Sequence, residues 1–151
     1  MESLTIEQLF QGISCSIIGN RQLLLSAIFS YSKTVIPGAL FIVKKKEILS
    51  LGYMQEAKEK GAVAFLLPQE TASHFPIEEG YTYIFHANPE LIETALLQRF
   101  YGDISKTVDL IAVTGTNGKT TTCYLVHHLA TCLGFISGLI GTIECKFLDR
   151  S

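Results

Sequence analysis

The chain of 151 residues contains no tryptophan and only two methionines. Charged side chains supply 17% of it, below the usual share, so little of the chain is expected to be disordered. The formal net charge is −2, and no basic stripe exists, which removes the electrostatic footprint of a nucleic-acid binder. The one basic run, Lys44-Lys45-Lys46, reads first as the solvated end of a strand, with a contact to an anionic substrate as the alternative. The four cysteines, Cys15, Cys123, Cys132 and Cys145, include no CxxC pair, which excludes the common zinc and redox motifs. They read as reduced, mostly buried thiols. The longest unbroken apolar run is Ala62–Leu67, far too short to span a membrane as a helix. MESLTIEQLF lacks the basic and apolar regions of a signal peptide. A soluble, cytoplasmic protein without nucleic-acid or membrane partners is expected.

What is present is an alternation of apolar runs and helix signals. Thr5-Ile6-Glu7-Gln8 has the form of a capping box, and Ile6, Leu9 and Phe10 follow at helical spacing, predicting a short helix that ends near Gly12. Leu23–Ser30 is an apolar run of strand length. Pro37-Gly38 signals a turn, and Ala39–Val43 reads as a buried strand. GYMQEAKEK, residues 52–60, reads as a helix stopped by Gly61, and Val63–Leu67 as the next strand. Residues 69–80 are looser and polar. Tyr81–His86 alternates as a strand. Asn88-Pro89-Glu90 combines an N-cap, a first-turn proline and an acid at the positive end of the dipole. The helix it opens is expected to bury Leu91, Ile92, Ala95, Leu96 and Phe100 and to end at Gly102. The pattern suits an α/β domain over residues 1–105, with a boundary in the polar stretch that follows. Beyond it, Val108–Thr114 predicts a strand, Lys119–Leu133 a helix stopped by Gly134, and Gly138–Cys145 a second strand, together one right-handed βαβ unit.

The junction between that first strand and its helix reads TGTNGKTTT, residues 114–122. A strand feeding a helix through such a turn makes an anion site, because the first-turn N–H groups and the helix dipole both favour negative charge. Gly115 and Gly118 let the backbone bend and approach phosphate oxygens. Lys119 brings a mobile positive charge, and Thr120 a hydroxyl able to ligate Mg²⁺. The general phosphate-loop pattern GxxxxGK[ST] is matched incompletely, since Val113 stands at its first glycine position. The alternative is a plain glycine-rich turn. His127 and His128 are adjacent on the predicted helix and cannot share a metal face. They, like His74, His86, Cys123 and Cys132, read as packing or surface residues, and Glu144 as the end of a strand.

TGTNGKTTT, with RFYGDISKTVDLIAV ahead of it and GLIGTIE after it, resembles the ATP-binding signature of the Mur ligase family, in its tripeptide-forming branch. SYSKTVIPGALFIV and GYMQEAKEKGAVAFLL resemble the amino-terminal domain of the same enzymes. The resemblance implies an amino-terminal UDP-sugar-binding α/β domain over 1–105. After it, residues 106–151 would begin a Rossmann-like central ATPase domain, incomplete here. It implies an ATP- and Mg²⁺-dependent ligase of peptidoglycan precursor synthesis. Such an enzyme adds L-lysine or meso-diaminopimelate to UDP-N-acetylmuramoyl-L-alanyl-D-glutamate through an acyl phosphate. By resemblance, Gly115, Thr116, Asn117, Gly118, Lys119, Thr120 and Thr121 bind ATP, with Lys119 on the phosphates and Thr120 on Mg²⁺. By the same resemblance, Ser30 and Ser32 would contact the uridine nucleotide. The chain departs from the family's D-S-R and P-G-D patterns at Tyr31, Lys33 and Ala39, and Lys45 or Lys46 stands where a glycine is usual. The reading is of an amino-terminal piece of such a ligase, not expected to catalyse alone and prone to self-association through its incomplete ATPase unit. The alternative is a non-catalytic module that binds a UDP-sugar or ATP.

Overall fold

The computed structural model describes residues 3–44 and 49–147, so Lys45 and Lys46 of the basic run lie outside the described residues. The chain divides into two compact units, Met1–Thr107 and Val108–Ser151.

In the first unit a five-stranded sheet is built from β1 (Ser16–Ile18), β2 (Ile28–Phe29), β3 (Leu40–Ile42), β4 (Ala64–Pro68) and β5 (Thr82–His86), in the order β1-β5-β4-β3-β2. All neighbours run parallel except β1, which lies antiparallel on β5. The central strands are apolar on both faces, because successive side chains point to opposite sides and both sides are covered. Leu40, Ile42, Ala64, Leu66 and Ile84 face one core with Ile6 and Leu9 of α1 (Ile6–Leu9) and Leu96 and Phe100 of α3 (Pro89–Tyr101). Phe41, Phe65, Leu67, Tyr83 and Phe85 face the other, against Met54 and Ala57 of α2 (Leu49–Glu59). Phe75, from the polar stretch 69–80, packs on this second face, its ring 5.3 Å from that of Tyr83.

Local chemistry accounts for the helix ends. Thr5 and Gln8 form the reciprocal capping box at α1. The Asn88 side chain accepts the Leu91 N–H at the start of α3, and His86 Nδ1 accepts the Asn88 N–H at 3.0 Å. The buried stripe of α3 runs through Pro89, Leu96 and Phe100, with Ile92, Leu97 and Tyr101 partly covered. Leu91, expected on that face, is 77% exposed, and Ala95 is exposed too. Two strands differ from the sequence expectation, one shorter than expected and one not expected at all. Of the run Leu23–Ser30, only Ile28–Phe29 is strand, while Leu24 makes a single bridge to Thr5. The edge strand β1 gave no apolar run to detect.

The second unit holds α4 (Lys119–Cys132) and a hairpin of β6 (Gly138–Ile140) and β7 (Cys145–Phe147). The predicted βαβ unit does not form in it. Among the described residues, 108–114 pair with no strand, since a parallel strand needs a neighbour to take its N–H and C=O groups. Val108, Leu110 and Ile111 are accordingly exposed. The predicted strand Gly138–Cys145 breaks at Gly141, whose N–H bonds the Glu144 carbonyl, and turns back on itself. Among the described residues of this unit only Leu139 is a buried hydrophobe, whereas Leu125, Leu129, Leu133, Phe135, Ile140 and Phe147 are all more than half exposed.

Candidate functional site

The loop Gly115–Gly118 leads into α4, as the sequence requires. Gly118 is the N-cap, with φ +79, and no side chain caps the helix there. Gly115 has φ +140. A Cβ on Gly118 would meet nothing within 4 Å, and one on Gly115 only the Asn117 carbonyl at 3.9 Å. The glycines therefore serve backbone conformation and leave the space above the loop open. Lys119 folds back over this loop, its Nζ donating to the carbonyls of Gly115 at 2.6 Å and Thr116 at 3.1 Å. Thr116, Asn117, Thr120 and Thr121 are exposed around it. An uncapped helix start, open glycines and one lysine held at the rim fit a polyphosphate. Thr120 is exposed at the helix start, but among the described residues no group of three or more His, Cys, Asp or Glu is placed to hold a metal ion. A Mg²⁺ there would take most of its oxygens from phosphate and water, as that ion commonly does.

Behind the loop, α4 is tied to the hairpin by polar contacts. Tyr124 donates its hydroxyl to Glu144, which also pairs with Lys146 Nζ at 3.0 Å. The hydrogen bond from Tyr124, then Lys146, holds the Glu144 carboxyl below the ordinary range, and the same bond pushes the Tyr124 phenol up. His127 Nδ1 lies 2.9 Å from Ser137 Oγ, and His128 Nε2 lies 3.6 Å from Cys132 Sγ. Glu144 is thus a packing partner of α4. Cys132 and Cys145 are exposed, against the expectation of mostly buried thiols, because this unit encloses so little core. Cys15 and Cys123 are half-covered, and burial pushes the Cys15 thiol up.

In the first unit, Ser30 and Tyr31 stand at the carboxyl end of β2, where ligands of parallel α/β sheets commonly sit. With Ile28, Phe29, Thr34, Glu93 and Leu97 they line a cleft of about 240 Å³. Whole-ligand pockets run to roughly 300–1,000 Å³, so this cleft has room for one part of a nucleotide. Lys44, at the end of β3, pairs with Glu93 at 2.7 Å. Ser32 is placed differently from Ser30. It opens a 3₁₀ turn (Ser32–Thr34), is 2% exposed, and donates its hydroxyl to Glu56 Oε2 of α2 at 2.5 Å. Its hydroxyl is therefore satisfied inside the protein. Glu56 also meets Lys60 Nζ at 3.4 Å, and Lys60 donates to the Lys33 carbonyl at 2.7 Å. The Ser32 hydrogen bond first, then Lys60 and Lys33, holds the Glu56 carboxyl below the ordinary range. Sequence reasoning missed Glu56, Lys60 and Glu93, since nothing in a helix pattern marks which polar residue faces a turn far away in the chain.

Comparison with known proteins agrees over both units. Residues 113–149 match the family model of the Mur ligase middle domain. A UDP-N-acetylmuramoyl-L-alanyl-D-glutamate–2,6-diaminopimelate ligase of Phocaeicola vulgatus is 34% identical over 97% of this chain, which spans 30% of that relative's length. Crystalline MurF from Acinetobacter baumannii superposes with a TM-score of 0.58 at 21% identity, over 87% of this chain and 28% of its own. A solved UDP-N-acetylmuramoyl-L-alanyl-D-glutamate–2,6-diaminopimelate ligase gives a TM-score of 0.58 at 18% identity, over 98% of this chain and 29% of its own. These structural likenesses bear on the fold, a mixed α/β arrangement with a largely parallel sheet.

Proposed function

We propose that this chain, which belongs to the Mur ligase family, is the sugar-nucleotide-binding and phosphate-loop part of an ATP-dependent ligase of peptidoglycan precursor synthesis. The acceptor would be UDP-N-acetylmuramoyl-L-alanyl-D-glutamate, and the residue added a diamino acid, diaminopimelate by the names of the relatives. The chain spans less than a third of those relatives, so the full reaction is assigned to a longer enzyme. The observation that carries the reading is the glycine-opened, uncapped start of α4 with Lys119 poised over it. The apolar faces left open on α4 and on the hairpin are what the first part of a larger sheet domain presents.

In this reading residues 1–105 hold the UDP portion and residues 106–151 open the ATP-binding domain. ATP, when bound, supplies the phosphoryl group that activates a substrate carboxylate towards an amine. The residues present contribute positioning and charge. Gly115–Gly118 and the N–H groups of Lys119–Thr121 would cradle phosphate oxygens. The Lys119 ammonium would exchange its two loop carbonyls for them, and Thr120 would offer its hydroxyl to Mg²⁺. Ser30 would meet the uridine nucleotide from the cleft wall. The protein is assigned to the cytoplasm, where such precursors are assembled; among the described residues no helix is long and apolar enough to cross a membrane.

Titration calorimetry of the chain with UDP and with Mg·ATP tests this. Both should bind, and Lys119→Ala should abolish the ATP response while leaving UDP affinity within about twofold. Loss of both responses in Lys119→Ala would argue against two separate sites. Absence of any ATP response in the unaltered chain would sink the loop assignment.

A further inference from the structure

Ser32 and Ser30 stand two residues apart, yet one is enclosed and the other exposed. What separates them is a three-membered polar chain. Ser32 Oγ donates to Glu56, Glu56 pairs with Lys60, and Lys60 donates to the carbonyl of Lys33, the residue after Ser32. Both ends of this chain thus grip the same 3₁₀ turn. The Tyr31 carbonyl is tied in as well, accepting from the Thr34 N–H at 3.2 Å and from Thr34 Oγ1 at 2.9 Å. Tyr31 and Thr34 both line the cleft. None of Glu56, Lys60 and Ser32 does.

We infer that Glu56 is a positioning residue for the sugar-nucleotide cleft. It pins Ser32 inward and, through Lys60, the Lys33 carbonyl, and so sets the wall formed by Ser30, Tyr31 and Thr34. The Ser32 hydroxyl, turned to Glu56, serves the ligand by holding this wall. This inference rests on the reading that the cleft takes a uridine nucleotide. A carboxylate suits the task because it accepts from two directions at once, the serine hydroxyl on one oxygen and the lysine ammonium on the other.

A double-mutant cycle on the whole chain tests it, with UDP as the probe and calorimetry as the readout. Ser32→Ala and Glu56→Ala should each weaken UDP binding about tenfold, and the double variant no further than either alone. Glu56→Gln keeps an acceptor for the serine hydroxyl and should stay within about threefold of the unaltered chain. That rescue separates positioning from a general loss of packing. Multiplied losses in the double variant would mean that Ser32 touches the ligand, and would overturn the inference. Should Glu56→Ala fail to fold, Ser32→Ala and Lys60→Met carry the test, and unchanged UDP affinity in both overturns it. Amide resonances of Ser30 and Tyr31 give a ligand-free readout. They should move in Glu56→Ala and return in Glu56→Gln. If they do so while the unaltered chain ignores UDP, the uridine reading has failed and takes the cleft's assignment with it. If they stay still, the positioning inference has failed on its own.

Discussion

Gly61 ends α2 in a left-handed conformation, φ +92, against the turn at Pro37. A Cβ built on it would stand 2.8 Å from Pro37 Cα and 3.1 Å from Pro37 Cβ. The same junction carries a hydrogen bond from the Gly38 N–H to the Gly61 carbonyl at 2.8 Å. Gly61→Ala therefore meets two independent penalties. A left-handed backbone costs an L-residue about 1–2 kcal/mol. The overlap lies against backbone rather than a swinging side-chain tip, and overpacking of that kind costs about 1–3 kcal/mol. The sum, about 2–5 kcal/mol, is a large part of the stability of a small domain. Gly80 supplies the control. Its φ is +91, almost the same, but a Cβ there would meet nothing within 4 Å. Gly80→Ala should lose only the backbone part, about 1–2 kcal/mol. Urea unfolding followed by near-ultraviolet circular dichroism, which reports the aromatic-rich second core, measures both. Equal losses in the two variants would refute the argument that close approach to Pro37, and not helix termination alone, demands glycine at 61.

Further outcomes follow from contacts already described. Tyr101→Phe leaves the Ile28 N–H, which donates to the Tyr101 hydroxyl at 3.1 Å, without its partner in a buried edge strand. A loss of about 1–3 kcal/mol in urea unfolding is expected, and none at all would mean that water replaces the phenol. Glu56 faces Ser32, Lys33 and Lys60, and its folded carboxyl titrates below the ordinary value of 4.5. The unfolded chain therefore takes up that proton first as the pH falls. The stabilisation is complete above pH 4.5, shrinks below it, and is gone beneath the folded value. Glu56→Gln should flatten that part of the stability–pH curve, and an unchanged acid limb would show the carboxylate to be uncoupled from folding.

The first unit was legible wherever a single stretch of chain decides its own structure. Thr5 with Gln8, and Asn88 with Pro89, announced their helices, because a cap is a local hydrogen bond. The runs that became β3, β4 and β5 were legible because strands covered on both faces are apolar throughout. Legibility failed where a partner decides. Ser16–Ile18 is a strand only because β5 lies beside it, and Val108–Thr114, apolar enough for one, is not a strand where no neighbour completes the ladder. The turn at Gly115–Gly118 and the helix start after it were legible down to the glycines, since φ above zero and helix starts leave marks in composition. The inward turn of Ser32 was not, because a serine reads the same whether its hydroxyl meets a ligand or a glutamate on another element.

The strand order has a consequence for synthesis. β1 leaves the ribosome before any other strand of its sheet, yet it bonds only to β5, and Ser16 pairs with Phe85. At typical translation rates the intervening stretch of about 70 residues takes about 3 to 14 s to appear. For that interval Ile17 and Ile18 have no native ladder to join, and the sheet grows from β2, β3 and β4 towards the strand that will finally collect them. The nascent chain is thus asked to keep its earliest strand uncommitted until its last one arrives.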